Sequence, residues 1–313
     1  MRSTLCLLGL SAVVATLACG PKVSASDPSK VDDASLEALS GPTAEQVARA
    51  TITGVFEGEQ VTLAEGRWEG EPFVEGGASL PLVWLTSSES FWLVGDVDGD
   101  AAAEAVVHLT LSTGGSGNFG YVAVMGREGD EAVQKAIGEI GDRVQVREAR
   151  LDGQHIVLDV MRAGPDDGMC CPTELATLDL TVEEGQLTVA TEVTGTASLD
   201  ILAGQEWVLK KLPSEELAPA EPEITLVFEE GAVSGSSGCN TYRGSVAVGE
   251  IATSLEVGPL AGTRMSCRPE VLKLEQRYLT ALQGASGWGF FFSQLQIDYQ
   301  QGETWGRLVF DKR

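Results

Sequence analysis

Hydrophobic and polar residues alternate with a period of two along much of this chain, the pattern of strands with one buried face. The alternation is clearest where Val106, His108 and Thr110 oppose Val107, Leu109 and Leu111, and it returns over residues 121–125, 144–149 and 155–160. Turn formers separate these runs: Asp98-Gly99, Gly114-Gly115-Ser116-Gly117, Asp152-Gly153 and Glu184-Gly185. Gly and Asp reach the turn dihedrals that β-branched residues resist. Residues from about 50 to 194 therefore predict an antiparallel β domain without a strand–helix–strand rhythm. A short helix is expected at residues 44–50, and residues 133–137 read as one or two helical turns.

A second unit begins near Ala197. Short strands are expected at residues 207–212, 224–228, 232–236, 242–248 and 254–257. One strong helix follows, with Pro269 in its first turn and Val271, Leu272, Leu274, Tyr278, Leu279 and Leu282 on one face. Three more strands are expected at residues 288–292, 295–299 and 307–310. Such a set suits a small closed or nearly closed barrel. The Pro- and Glu-rich residues 213–223 read as a surface loop. The fold class expected is mainly β, two antiparallel β domains, the second a barrel with one helix.

The first residues read as a targeting signal. Arg2 supplies the positive end, and residues 5–17 form an apolar stretch too short to span a membrane. It ends in Thr16-Leu17-Ala18-Cys19-Gly20, which resembles a bacterial lipobox, although Thr16 stands where such boxes usually carry Leu. Two readings are open: a lipoprotein acylated at Cys19, or an ordinary cleaved signal with an incidental Cys. The polar residues after Cys19 suit a tether, and each buried acyl methylene contributes ~0.8 kcal/mol of membrane affinity. The layout expected is a signal peptide at 1–18, a lipid-anchored linker at 19–44, a β domain at 45–196 and the barrel at 197–313. The protein is then expected in the cell envelope, on the outer membrane or a periplasmic face. Its partners would be the membrane through the lipid and an envelope protein or small ligand.

Composition narrows the functions. The 313 residues hold 46 acidic and 21 basic side chains, a formal charge of -25, with 43% hydrophobic residues to fill real cores. An acidic surface repels phosphate backbones and excludes nucleic acid as a partner. Only two His leave little for imidazole chemistry. Export makes disulfides permissible, and Cys170, Cys171, Cys239 and Cys267 remain after the signal and Cys19, with three possible connectivities. Adjacent Cys170-Cys171 cannot supply zinc-ligand spacing.

Residues 200–311 resemble the META/HslJ domain family. The resemblance is carried by Trp207-Val208-Leu209, residues 233–240 ending in Gly238-Cys239-Asn240, Thr263-Arg264-Met265-Ser266-Cys267, and Glu275 with Tyr278 and Leu282. The motif positions are Trp207, Gly238, Asn240, Thr263, Met265 and Glu275. The resemblance implies a calycin-like barrel in envelope or secreted proteins, some linked to heat shock or drug tolerance, with no agreed enzymatic activity. The aromatic run Trp288 to Phe292 departs from the family. The first unit is similar to a segment that precedes META domains in some exported bacterial proteins, through residues 95–100, 114–117, Gly141-Asp142-Arg143 and 169–173. No activity comes with that likeness. The expected disulfides are Cys239–Cys267 and Cys170–Cys171. The second needs a strained turn, because neighbouring Cα atoms lie ~3.8 Å apart, below the ~4.4 Å of ordinary bridges. Free thiols or a cross-domain pairing are its alternatives.

Asp96-Val97-Asp98-Gly99-Asp100 followed by Glu104 is the most ligand-like constellation. Carboxylates at alternate loop positions converge on Ca²⁺, which takes six to eight oxygens. Against this, Ala101 stands where such loops favour Gly, and a solvated Asp-Gly turn is the competing reading. The Gly114–Gly117 loop lacks the Lys and the helix of a phosphate cradle. His155, near Asp152 and Asp159, with Ser112 or Ser116, is the only hydrolase-like set, without a strand-to-helix elbow for the nucleophile. The aromatics at 288–292 exceed one buried face, and either pack on the helix or line a mouth or partner patch. The reading reached is an exported, lipid-anchored, non-enzymatic binding or structural protein linked to envelope stress tolerance. The alternatives are a secreted hydrolase using His155 or a calcium-dependent adhesion module.

Overall fold

The computed structural model describes residues 41–56, 58–86, 91–168, 171–212, 217–219 and 221–313. The signal, Cys19, most of the linker, Cys170 and part of the 213–223 loop lie outside the described residues. Helix α1 (Ala44–Val47) starts from a capping box in which Thr43 and Gln46 each accept the other's backbone N–H. Strands β1 (Thr51–Thr53) and β2 (Gln60–Thr62) form a separate hairpin.

The next ten strands make one sheet. They are β3 (Arg67–Glu69), β4 (Leu82–Leu85), β5 (Leu93–Gly95), β6 (Glu104–Ser112), β7 (Phe119–Glu128), β8 (Glu131–Asp142), β9 (Gln145–Asp152), β10 (His155–Arg162), β11 (Glu174–Glu183) and β12 (Gln186–Thr196). The order is β3-β4-β6-β7-β8-β12-β11-β10-β9, with β5 also paired to β6. All pairs are antiparallel except β8 with β12, which meet in parallel at Ile137 and Gln186. Residues 133–137, expected as helical turns, lie within β8, where Val133, Ala136 and Ile137 oppose Gly126, Val124 and Ala123. A short run has no periodicity that separates helix from strand, and here pairing with β7, across a bulge at Val124 and Met125, decides for strand. Strand β6 is buried on both faces. Ala105, Val107, Leu109 and Leu111 pack beneath Val47, Ile52 and Val61, while Val106 joins Val122, Val124, Leu158 and Leu178 on the opposite side.

The second sheet holds β13 (Glu206–Lys211), β14 (Thr225–Glu229), β15 (Ala232–Ser236), β16 (Thr241–Ala247), β17 (Glu256–Val257), β18 (Ala261–Gly262), β19 (Ala285–Phe291), β20 (Gln294–Gln301) and β21 (Thr304–Lys312). Its order is β17-β16-β15-β14-β13-β21-β20-β19, with β18 on β16. The ends approach one another: Trp288 N–H donates to Thr253 O at 2.9 Å and Leu255 N–H to Ser286 O at 3.2 Å. The result is a nearly closed barrel. Helix α2 (Pro269–Gln283) sends Tyr278, Ala281 and Leu282, all fully buried, into its core. The Tyr242 hydroxyl donates to Thr225 O at 2.9 Å, so its 2.7 Å contact with the Tyr278 hydroxyl has Tyr278 as donor.

The aromatic run 288–292 divides three ways. Trp288 and Phe290 join the barrel core with Tyr278 and Leu282, and Phe291 is exposed. Phe292 leaves the barrel and enters the core of the first sheet, edge-on to Phe91 at 5.6 Å and to His108 at 4.8 Å between centroids. Beside it, Ser293 N–H donates to Val146 O at 3.2 Å and Phe290 N–H to Gln145 Oε1 at 2.7 Å. In return Met161 and Leu175 of the first sheet reach the barrel core. Truncating a buried Phe costs about 3 to 5 kcal/mol. Phe292→Ala is therefore expected to lower the main calorimetric transition and to separate the melting of the two units. A single transition at the original midpoint would show that the ring does not hold them together.

Candidate metal centre and the barrel motif

The acidic loop connects β5 to β6, and Gly95 pairs with Glu104 across its base. Its carboxylates organise their own backbone. Asp96 accepts the N–H groups of Gly99 at 2.7 Å and Ala101 at 3.2 Å, Asp98 that of Asp100 at 3.1 Å, and Asp100 that of Ala102 at 2.8 Å. Gly99 has φ 84° and Ala101 φ 68°, so the sharp bend is made at Ala101 despite its Cβ. Glu104 is fully buried; Oε2 accepts Val97 N–H at 3.1 Å, and Oε1 has no partner among the described residues. One carboxylate oxygen from each of Asp96, Asp98 and Glu104 lies within 4.8 Å of the others. Asp100 is not in this group and instead approaches Lys135 Nζ at 3.7 Å. Burial raises the Glu104 carboxyl above its ordinary range; the Val97 N–H opposes this, and Asp98, Asp100 and Asp96 add to the rise. A cation would remove both penalties. The donors are all hard oxygens, the set that Ca²⁺ prefers, with water to complete the shell.

A second cluster lies where β15, β16 and α2 meet. Glu275 accepts the Ser237 hydroxyl, Asn240 N–H at 2.9 Å and Asn240 Nδ2 at 2.9 Å. The opposite end of the Asn240 amide accepts the Thr263 hydroxyl at 2.8 Å and Met265 N–H at 2.7 Å. Gly238, at φ 99°, makes the turn before it. The Cys239–Cys267 disulfide closes the same region, spanning 28 residues, a loop length worth ~3 to 4 kcal/mol in the disputed chain-entropy account. Cys171 is also disulfide-bonded. Trp207 is buried and donates from Nε1 to Leu202 O at 3.3 Å.

The family model of the META domain matches residues 200–311. The C-terminal barrel is a META domain. A protein from Burkholderia xenovorans solved by NMR is 27% identical over 40% of this chain and 95% of its own, with a TM-score of 0.29. No curated protein matches the chain.

In the META domain the motif residues act on one another. Asn240 spends its amide joining the turn, the residues after β18 and the helix, so Glu275 and Asn240 serve as a clamp between elements. Ser237, which lies within the 233–240 stretch but is not one of the six motif positions, joins this set fully buried; nothing in a Ser-Gly run marks one Ser as the partner of Glu275. Elsewhere, exposed His155 pairs through Nδ1 with Asp179 at 2.8 Å, while Asp159 is held by Arg150 at 2.8 Å and Thr177 at 2.7 Å. Ser112 Oγ accepts Gly114 N–H at 3.4 Å. Cross-strand register, invisible in the local sequence, chose Asp179 as the His155 partner. His108 is buried, with Nδ1 3.0 Å from the Thr86 hydroxyl, and burial lowers its pKa to about 3.

Burial raises the Glu275 carboxyl, but hydrogen bonds from Ser237, Asn240 and the Cys239 backbone outweigh it and hold the pKa below the ordinary 4.5. A carboxyl depressed by folding contributes stability above its unfolded pKa, and that contribution is lost as pH falls through the folded value. Glu275→Gln is expected to cost about 2 to 3 kcal/mol at neutral pH, given hydrogen bonds to a charged group. It should also flatten the loss of stability in acid below the ordinary 4.5. Denaturant titrations of both proteins at neutral and acidic pH check this; parallel pH profiles would exclude the clamp as their source.

Proposed function

We propose that this is an exported, lipid-anchored cell-envelope protein whose role is binding and structural, with a Ca²⁺ ion locking its first β domain. The observation that carries the proposal is the buried, unpartnered Glu104 oxygen beside Asp96 and Asp98. An unpaired buried carboxylate is expensive unless neutralised or coordinated. Oxygen sites of extracellular modules hold calcium at about 10⁻⁴ to 10⁻³ M, so such a loop suits a protein working outside the cytoplasm. The N-terminal signal-like residues and Cys19 support the same location. The META domain fits an envelope role without catalysis, and tolerance of envelope stress is the process in which its stability would matter. A secreted hydrolase of the Ser–His kind would need a hydroxyl nucleophile at His155, and the group bonded to that ring is the Asp179 carboxylate.

Millimolar calcium, roughly one to ten times such a Kd, would stabilise the protein by about 0.4 to 1.4 kcal/mol. Melting in millimolar calcium should therefore run a few degrees above melting in chelator, a difference that Glu104→Gln abolishes. Equal midpoints for the wild type would remove the metal site. The anchor is checked separately: Cys19→Ser should move the protein from the membrane to the soluble fraction, whereas continued membrane partition or an unacylated mass would remove it.

A further inference from the structure

A cleft of about 1080 Å³ lies on the outer face of β19, β20 and β21, walled on one side by Gln145, Cys171 and Pro172 of the first domain. Its floor follows from strand register. Gly287 and Gly289 oppose Asp298 and Gln296, and across the next pair Asp298 and Gln296 oppose Arg307 and Val309. Two glycines on one strand leave the floor flat where side chains would stand. Trp305 and Phe291 line the same cleft, 66% and 44% exposed, and Trp305 alone among the six tryptophans is exposed. Single exposed apolar residues are ordinary, but two aromatics beside one concave polar surface are a ligand-site pattern.

The polar groups have capacity to spare. Among the described residues Gln296 makes no side-chain hydrogen bond, and Gln145 uses Oε1 on Phe290 N–H, leaving its amide nitrogen. Arg307 pairs with Asp298 through Nε at 2.6 Å, leaving its terminal N–H groups. Lys211 adds an ammonium at the wall. Flat aromatic rings stack on the apolar C–H faces of pyranose sugars, and amide and guanidinium groups match adjacent hydroxyls with paired hydrogen bonds. A peptide strand would need a free backbone edge, but at β19 that edge is engaged by Thr253 and Gln145. Nucleic acid is opposed by the net charge of -25.

We infer that this interdomain cleft binds a glycan chain, with Trp305 as the stacking platform and Gln296, Gln145 and Arg307 as the hydroxyl-reading groups. The inference deepens the binding role proposed above and rests on it only in that the sugar is held and not cleaved. The test is titration of the purified full-length protein with short β-linked oligomers of N-acetylglucosamine and, separately, of glucose, read by tryptophan fluorescence and calorimetry. Saturable binding of one oligomer is expected, with Kd on the order of 0.1 to 1 mM. Trp305→Ala should weaken it by roughly tenfold, as expected for loss of an aromatic contact, and Gln296→Ala should weaken it too. Both positions lie on the surface, so unchanged melting of each variant confirms intact folding. Whichever oligomer binds identifies amino sugar or plain sugar as the class. Binding of neither oligomer, or binding indifferent to both substitutions, overturns the inference. Shortening of a bound oligomer during incubation would support the cleft while overturning the non-catalytic role.

Discussion

Strands β19 and β20 pair Phe291 with Gln294, which leaves Phe292 and Ser293 as a two-residue turn. Both adopt positive φ, 48° and 67°, the conformation that a tight hairpin of this hand requires. Asn-Gly would take that shape with little strain, whereas a left-handed non-glycine residue costs ~1 to 2 kcal/mol. Burying the Phe292 ring against Phe91 and His108 returns ~1.5 to 3 kcal/mol. The turn therefore retains Phe because of what it touches in the other domain. Its seat also bears on what surrounds it: a Cβ at Gly289 would stand 2.6 Å from Gln145 Oε1, which could give way only by leaving its bond to Phe290 N–H. The shape of the outer cleft is a consequence of how the hairpin docks.

The second constraint is electrostatic. Glu104 begins β6 opposite Gly95, so its Cα is held by the ladder while its longer side chain reaches back under the loop. Asp96 and Asp98 are turned toward it by the backbone N–H groups they accept, and the loop cannot relax their proximity without losing those bonds. Lys135 answers only Asp100, from 3.7 Å, and Asp100 is not one of the group of three. The protein thus concentrates like charge where a buried oxygen has no donor, the reverse of what a purely structural turn needs.

Legibility in the sequence followed the range of the interaction. Period-two alternation exposed most strands because each face meets one environment over several residues, and the barrel helix was legible from its apolar stripe and Pro269. The Asp96 to Glu104 spacing was legible because loop ligands are local. The diversion of Asp100 to Lys135 was not, since β7 and β8 bring Lys135 there through tertiary pairing. Residues 133–137 misled because five apolar-rich residues fit either period. Alternation would place Phe292 on the same face as Trp288 and Phe290, but the positive-φ turn breaks the pleat and sends it into the neighbouring domain. Nothing within the run marks that break, because neither turn residue is Gly or Asn.

Glu104, Val106 and His108 occupy alternate positions on β6 and so project from the same face of the strand. The first closes the acidic loop, the second lies in the core of the sheet and the third meets Phe292. Four residues of strand separate the loop from the interdomain contact by ~13 Å. Strand β5 ties them again, for Phe91 precedes it and Asp96 follows it, while its three residues pair in register with Val106, Ala105 and Glu104. A displacement of Glu104 along the ladder would shift Gly95 and, with it, the register of the strand that begins two residues after Phe91. The candidate metal centre and the domain seat are therefore built on one rigid pair of strands. Packed cores deform in discrete steps and resist gradual distortion, so the β5–β6 ladder ties the loop to the rings that receive Phe292, while separate hydrogen bonds from Ser293 and Phe290 to β9 complete the seat of the barrel.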